Sequence, residues 1–376
     1  MYFKTLKLSV SKQLTIVMIF LLPMSNYSQD FSEFWEGYFS YLNIIKIADA
    51  GNKVYAAAEN ALFSYNPTTN QLETITTLNG LSGEFITTIH YSSDYQLLLI
   101  GYQNGLIEVF KESNNDVLKV IDIINKTTIP PNNKKINHFN EHNGLVYIST
   151  DYGISVYDLD NLEFGDTYYI GLNGTQTPVN QTAIKNNEIY ANCAGNGGIK
   201  SASLSNPNLI DFQQWTTIVT GNFVKLVANE VNVIVTSSNA VTSKINTDNS
   251  LSQLFVSSSV PKDLYFSEEY LVETLSTKVN FYNRDFTLVH TIVPTTEFPA
   301  SYSCTIVLGS HVLIGTSNNS SIGSSGFGVL RTTLVNSNIF EEIHPDGPLL
   351  NTPFSLELTN NDLWLSFGGY GLFFEW

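Results

Sequence analysis

The sequence predicts an all-β fold, a β-propeller of four-stranded antiparallel blades, and three observations carry that prediction. The first is a hairpin unit over residues 143–168, in which Leu145 to Ile148 and Ile154 to Tyr157 flank the loop Thr150-Asp151-Tyr152-Gly153. Two short β-rich runs joined by a Gly-containing turn read as a hairpin. The second is recurrence. Tyr55, Leu99, Tyr147, Tyr190, Ile234, Val272, Leu313 and Trp364 occupy equivalent places in successive copies, at steps of 38 to 51 residues. A period of about 40 to 50 residues with several strands per repeat is what propeller blades show. The third is composition: 12% aromatic and only 14% charged residues, with no long run at helical spacing.

Within each copy the strands are named A to D from the inside outwards. An apolar run before each anchor, such as Phe85-Ile86 to Ile89 or Phe223-Val224 to Leu226, supplies strand A. The hairpin supplies B and C. A more variable run, such as Phe212 to Trp215 in the fourth copy, supplies D.

In chain order, Lys4, Lys7 and Lys12 precede the apolar stretch Leu14 to Leu22, and small or polar residues follow at Ser25, Asn26 and Ser28. That is the arrangement of a signal peptide over 1–29, cut between Ser25 and Asp30, and the apolar stretch is too short to span a bilayer. The expected product is exported to the periplasm or the outer-membrane surface, with no transmembrane anchor. Phe31 to Tyr41 reads as a lone strand, and Trp35 to Tyr41 is the expected outer strand that closes the ring. The propeller itself is expected over 30–344. The run His344-Pro345-Asp346-Gly347-Pro348 has the breakers of a linker, and 345–376 is a partial further copy. Seven blades, the favoured count, follow if that copy lies outside the ring, and eight if it closes it. Two stretches are irregular: Asn125 to Lys135, and an enlarged B–C loop from Thr316 to Gly328.

The net charge of −16 argues against nucleic acid or bare phosphate surfaces as partners. The two cysteines, Cys193 on a B strand and Cys304 on an A strand three blades on, are too far apart for a disulfide and read as small buried hydrophobes. The six histidines are scattered; only His138 and His142 are close, straddling an A–B turn, and they read as surface polar residues rather than a metal pair. The stretch Gly323 to Gly328 lacks the Lys-Ser/Thr and the helix of a phosphate loop. No nucleophile elbow and no acidic calcium loop appear. The reading is of a protein that is not an enzyme, with no metal and no cofactor.

The B–C loops, which carry Glu59-Asn60, Gln103-Asn104, Asp151-Tyr152, Asn196, Asn239, Lys278 and Tyr370, share one face of a propeller, where ligands sit. Their Asn and Gly residues suit tight turns. A tyrosine beside the turn is not explained that way, so Tyr102, Asp151 and Tyr152 are the candidate ligand contacts.

Residues 35–110 carry a resemblance. Trp35 to Tyr41, Leu62-Phe63-Ser64-Tyr65, Asn79-Gly80-Leu81-Ser82 and Gly101-Tyr102-Gln103-Asn104-Gly105 resemble the amino-terminal propeller of the PorZ family. The resemblance implies a cell-surface component of the type IX secretion system of Bacteroidota. Its partners would be the sortase PorU, PorV and PorQ, and it would take part in handling anionic lipopolysaccharide. The family's long form has two seven-bladed propellers and a sorting domain, and this chain ends where the second propeller would begin. Three functions are therefore expected to compete. The first is an exported protein-interaction scaffold; the second is a carbohydrate- or lipopolysaccharide-binding module. A sensor-type propeller, or a propeller enzyme such as a glycosidase or lyase, is the third.

Overall fold

The computed structural model describes residues 37–318, 326–360 and 362–367. The leader and Trp35-Glu36 lie outside the described residues, as do 319–325 of the enlarged loop and Tyr370. Seven four-stranded antiparallel sheets follow one another, each with its strands in chain order from the inside out. The first is β1 (Lys46–Asp49), β2 (Val54–Ala57), β3 (Leu62–Asn66) and β4 (Gln71–Ile75). The inner strands of the other six are β5 (Ile86–Ser92), β9 (Ile136–His142), β13 (Val179–Lys185), β17 (Phe223–Ala228), β21 (Asp263–Phe266) and β25 (Ser301–Leu308). Each inner strand packs beside the next, and β25 packs beside β1, so the ring is closed at seven blades.

All eight anchors fall on the second strand of their copy. β6 (Leu97–Tyr102) and β10 (Leu145–Thr150) show why these strands were readable: nearly every residue in them is buried. A strand with sheets on both faces reads as a continuous apolar run. The outer strands have one wet face and an edge. β4 exposes three of its five residues and β24 (Leu288–Ile292) four of five.

The core is not central but lies between blades. Each of seven apolar clusters is shared by two neighbouring blades, and one of them joins the seventh to the first through Ile44, Phe63, Leu313 and Ile343. Fully burying each such side chain contributes about 1.5–3 kcal/mol. The approach between blades is close. A Cβ on Gly101, in β6, would lie 2.6 Å from Ile136 of the next blade, and one on Gly315, in β26 (His311–Ser317), 2.8 Å from Ile44. Both glycines follow a Leu-Ile pair, so the closing contact repeats an internal one. Polar stitches add to this. Thr87 donates to the Ile136 carbonyl at 2.6 Å, Asn137 to that of Val179 at 3.0 Å and Asn180 to that of Phe223 at 3.4 Å.

Four expectations need correction. The eighth copy is not a blade: β29 (Ser355–Thr359) and β30 (Asp362–Ser366) form a separate two-stranded sheet. Residues 37–41 form no strand, and the outer strand of the last blade is β28 (Glu341–Ile343). The segment still closes the ring. The Ile44 amide donates to Thr316 and the Gly328 amide to Leu42, while Ser40 bonds Leu349 and Asn351. Phe212–Gln214 is a 3-10 turn capped by the Asp211 side chain, and the fourth outer strand is β16 (Thr216–Val219). Trp215 was apolar because it is buried, its indole N–H donating to Leu209 at 3.0 Å, not because it starts a strand. Finally, His138 and His142 both lie on β9 rather than astride its turn, and Nδ1 of the half-buried His138 is enclosed.

Cys193 and Cys304 are free and buried. Among the described residues no helix is long and apolar enough to cross a membrane.

Candidate functional site

The three residues singled out on the B–C face serve the turns themselves. Tyr102 ends β6 fully buried, with its hydroxyl bonded to the enclosed Glu108 carboxylate. Tyr152 is buried too; its hydroxyl meets Ser155 Oγ at 2.6 Å, and burial pushes it up to about 12. Asp151, half-buried, accepts from Asn137 Nδ2 at 2.8 Å, beside the stitch to Val179. Neither tyrosine offers its ring to solvent, and the three sit in two different blades.

The clefts lie on the opposite face, where the A–B and C–D turns emerge. Blades one and two enclose a polar cleft of about 500 Å³ that continues into a second of about 540 Å³. At its base Glu112 accepts from Tyr55 Oη at 2.5 Å, and from Tyr91 Oη and Lys53 Nζ. Burial pushes the Glu112 carboxyl up, but those three donors outweigh it and hold it below its ordinary value. The rings of Tyr55 and Tyr91 stack at 5.6 Å behind the carboxylate. The tyrosines are thereby committed to structure.

A larger cleft, about 950 Å³, opens over blades six, seven and one. Its walls are apolar, from Tyr265, Tyr270, Ile306 and Leu308; its rim carries Asp49, Glu268 and Glu269. Tyr265 is fixed by the Val307 amide, which donates to its hydroxyl at 2.6 Å. The turn Ser267 to Tyr270 separates this cleft from another of about 490 Å³, which adds Glu230 and Arg284. Gly51, in the β1–β2 turn, borders both the large cleft and the polar one. The clefts therefore run as a belt from blade five round to blade two. Six carboxylates line it (Asp49, Glu73, Glu112, Glu230, Glu268, Glu269) against two cations, Lys53 and Arg284, and Lys53 is already paired. Its chemistry is that of an acidic rim around a polar cleft at one end and more apolar recesses at the other, complementary in charge to a basic surface. Among the described residues no group of three or more His, Cys, Asp or Glu could hold a metal ion.

This belt was not legible beforehand. Each A–B turn is ordinary in sequence, and only the ring brings turns from blades five, six, seven, one and two side by side.

Fold and clefts together define a seven-bladed propeller with an acidic belt of clefts on one face. The chain is PorZ-like: residues 54–216 match the model of the PorZ N-terminal β-propeller domain of the type IX secretion system. Among solved structures it is similar to PorZ of Porphyromonas gingivalis, described as an essential bacterial surface component of that system. The TM-score is 0.71 at 17% identity, over 90% of this chain and 43% of that one. The chain thus spans under half the length of that relative. The WD40 β-propeller domain of Doa1 is similar at a TM-score of 0.57 and 12% identity, over 79% of this chain and 93% of that one. No curated protein matches the sequence.

Proposed function

We propose that this propeller is a type IX secretion system component, exported to the cell envelope, that acts as a protein-interaction scaffold and performs no catalysis. The observation that carries the reading is the acid-rimmed belt, joined to the match over 54–216. By resemblance its partners are PorU-, PorV- and PorQ-like proteins of the attachment complex. The glycan-binding alternative calls for aromatic rings open to a cleft: Tyr55, Tyr102 and Tyr152 are buried, whereas Tyr265 and Tyr270 line the large cleft and keep it as the second reading.

Reversing charge at the rim tests the scaffold. A Glu268→Lys, Glu269→Lys double variant should reduce co-purification of the PorU-, PorV- and PorQ-like proteins from the native envelope by tenfold or more, because like charges across an interface are strongly unfavourable. Gln103→Lys, at an exposed position on the B–C face, should leave it unchanged. Equal capture by all three proteins would overturn the assignment of this face.

A further inference from the structure

The ring brings four charged or titratable side chains into its channel from strands far apart in sequence. Lys46 comes from β1, His138 from β9, Lys225 from β17 and Asp263 from β21. Lys46 Nζ bonds both carboxylate oxygens of Asp263 at 2.7 Å, reaching from the first blade to the sixth past the seventh. That pairing uses the one carboxylate in the group. Lys225, on the neighbouring fifth blade, donates to the Lys262 carbonyl at 2.6 Å, and among the described residues no carboxylate lies within ion-pair distance of it. That bond faces solvent, so water reaches the ammonium inside the ring. An ammonium has three N–H donors, which leaves two unused. Nδ1 of His138 is enclosed and has no partner among the described residues.

The group therefore holds two ammonium ions against one carboxylate, inside a protein whose net charge is −16. Walls of low dielectric concentrate such a local positive potential and attract counter-ions. Lys225 keeps two donors beyond its bond to Lys262, and Nδ1 of His138 is enclosed without a partner among the described residues, so an oxygen acceptor between them would meet both. The titration behaviour agrees. Burial lowers Lys225 against the pull of Asp263, with Lys46 and Lys262 adding to the fall, and burial with Lys46, His90 and Lys225 pushes His138 down to about 3 against Asp263.

We propose that the channel binds one small oxyanion, a phosphate or a carboxylate, between Lys225 and His138, with Lys46–Asp263 fixing the far side. The site is independent of the docking face. Inorganic phosphate titrated calorimetrically into the full chain, in chloride buffer at constant ionic strength, is the direct probe. Saturable one-to-one binding is expected, with a rise in melting temperature. Lys225→Met should weaken it at least tenfold without lowering the melting temperature measured in chloride alone, since Asp263 keeps Lys46. Lys225→Arg should restore most of the binding, and Lys244→Met, at a strand outside the channel, should not change it. An acidic tetrapeptide that displaces phosphate would assign the site to a carboxylate from a protein chain; failure to displace it would confine the site to free phosphate. Absence of saturable binding to the native protein, or equal affinity in Lys225→Met, would overturn the proposal.

Discussion

His138 is the third residue of β9, and the groups that act on its ring are Lys46, His90 and Lys225, which disfavour its proton, and Asp263, which favours it. Burial is the largest cause, and together they hold it at about 3, below the ordinary 6.5. A depressed folded value means that the native state resists a proton the unfolded chain accepts. The stability this gives is complete above about pH 6.5 and is lost as pH falls towards 3. One such proton changes the unfolding free energy by at most about 1.4 kcal/mol per pH unit. Urea denaturation between pH 7 and 5 should show that slope in the native protein, and His138→Gln should flatten it. The paired Asp263, whose carboxyl Lys46 and Lys225 hold down against the effect of burial, adds its own loss only at lower pH. An identical slope in the variant would move the titration elsewhere. Tyr147 offers a second test at this scale, because it is buried in the cluster between blades three and four. Tyr147→Asp places a charge there with no partner and should cost several kcal/mol, read as a large fall in melting temperature.

At the scale of the element, ring closure depends on a segment with no regular structure. Residues 37–44 thread between blade seven and the chain that follows it, and two glycines let them pass. A Cβ on Gly347 would lie 2.0 Å from the Phe39 carbonyl oxygen, and one on Gly326 the same distance from that of Leu42. The contacts are to backbone, which does not yield as the tip of a side chain does. Gly347→Ala should therefore destabilise the closed ring by about 1–3 kcal/mol, the usual cost of forcing atoms into a filled space. Gly51→Ala makes the control for glycine replacement itself: its Cβ meets nothing within 4 Å, though its φ of 80° still exacts some strain. Thermal melts of the two should separate clearly, and equal melting temperatures would remove the threaded segment from the closure. The aromatic run in this segment was readable as something that packs. That it packs as a thread rather than an outer strand was not, since Phe39 and Tyr41 would be apolar in either case.

At the scale of the molecule, what could be read from sequence was whatever repeats. Buried second strands recur with the blade and betray themselves; outer strands, with most of their residues exposed, do not. The clefts and the channel escape for another reason: Asp49 and Glu269, or Lys46 and Asp263, meet only because the ring closes. The same closure decides where the propeller stops. Spacing alone counts Trp364 as an eighth anchor, yet Trp364 is 65% exposed and Leu358, also in the extra hairpin, 72%. Side chains so exposed contribute little to the ring. The residues between are different. Ile343 is buried in the closing cluster, and Leu349 and Asn351 bond Ser40, with Asn351 also donating to Glu59 at 3.2 Å. A chain stopped after Pro353 keeps every one of these contacts and discards only the hairpin. It should be monomeric by size-exclusion chromatography and melt in one cooperative transition close to that of the parent. A chain stopped after Glu342 loses Ile343 from β28 and both partners of Ser40, which frees the thread at 37–44 and leaves blades seven and one held by fewer contacts. Its transition should broaden and fall by many degrees, with aggregation through the uncovered strand edge. Loss of the cooperative transition in the Pro353 truncation would show that the hairpin belongs to the ring's own stability, and the count of seven independent blades would then have to be abandoned.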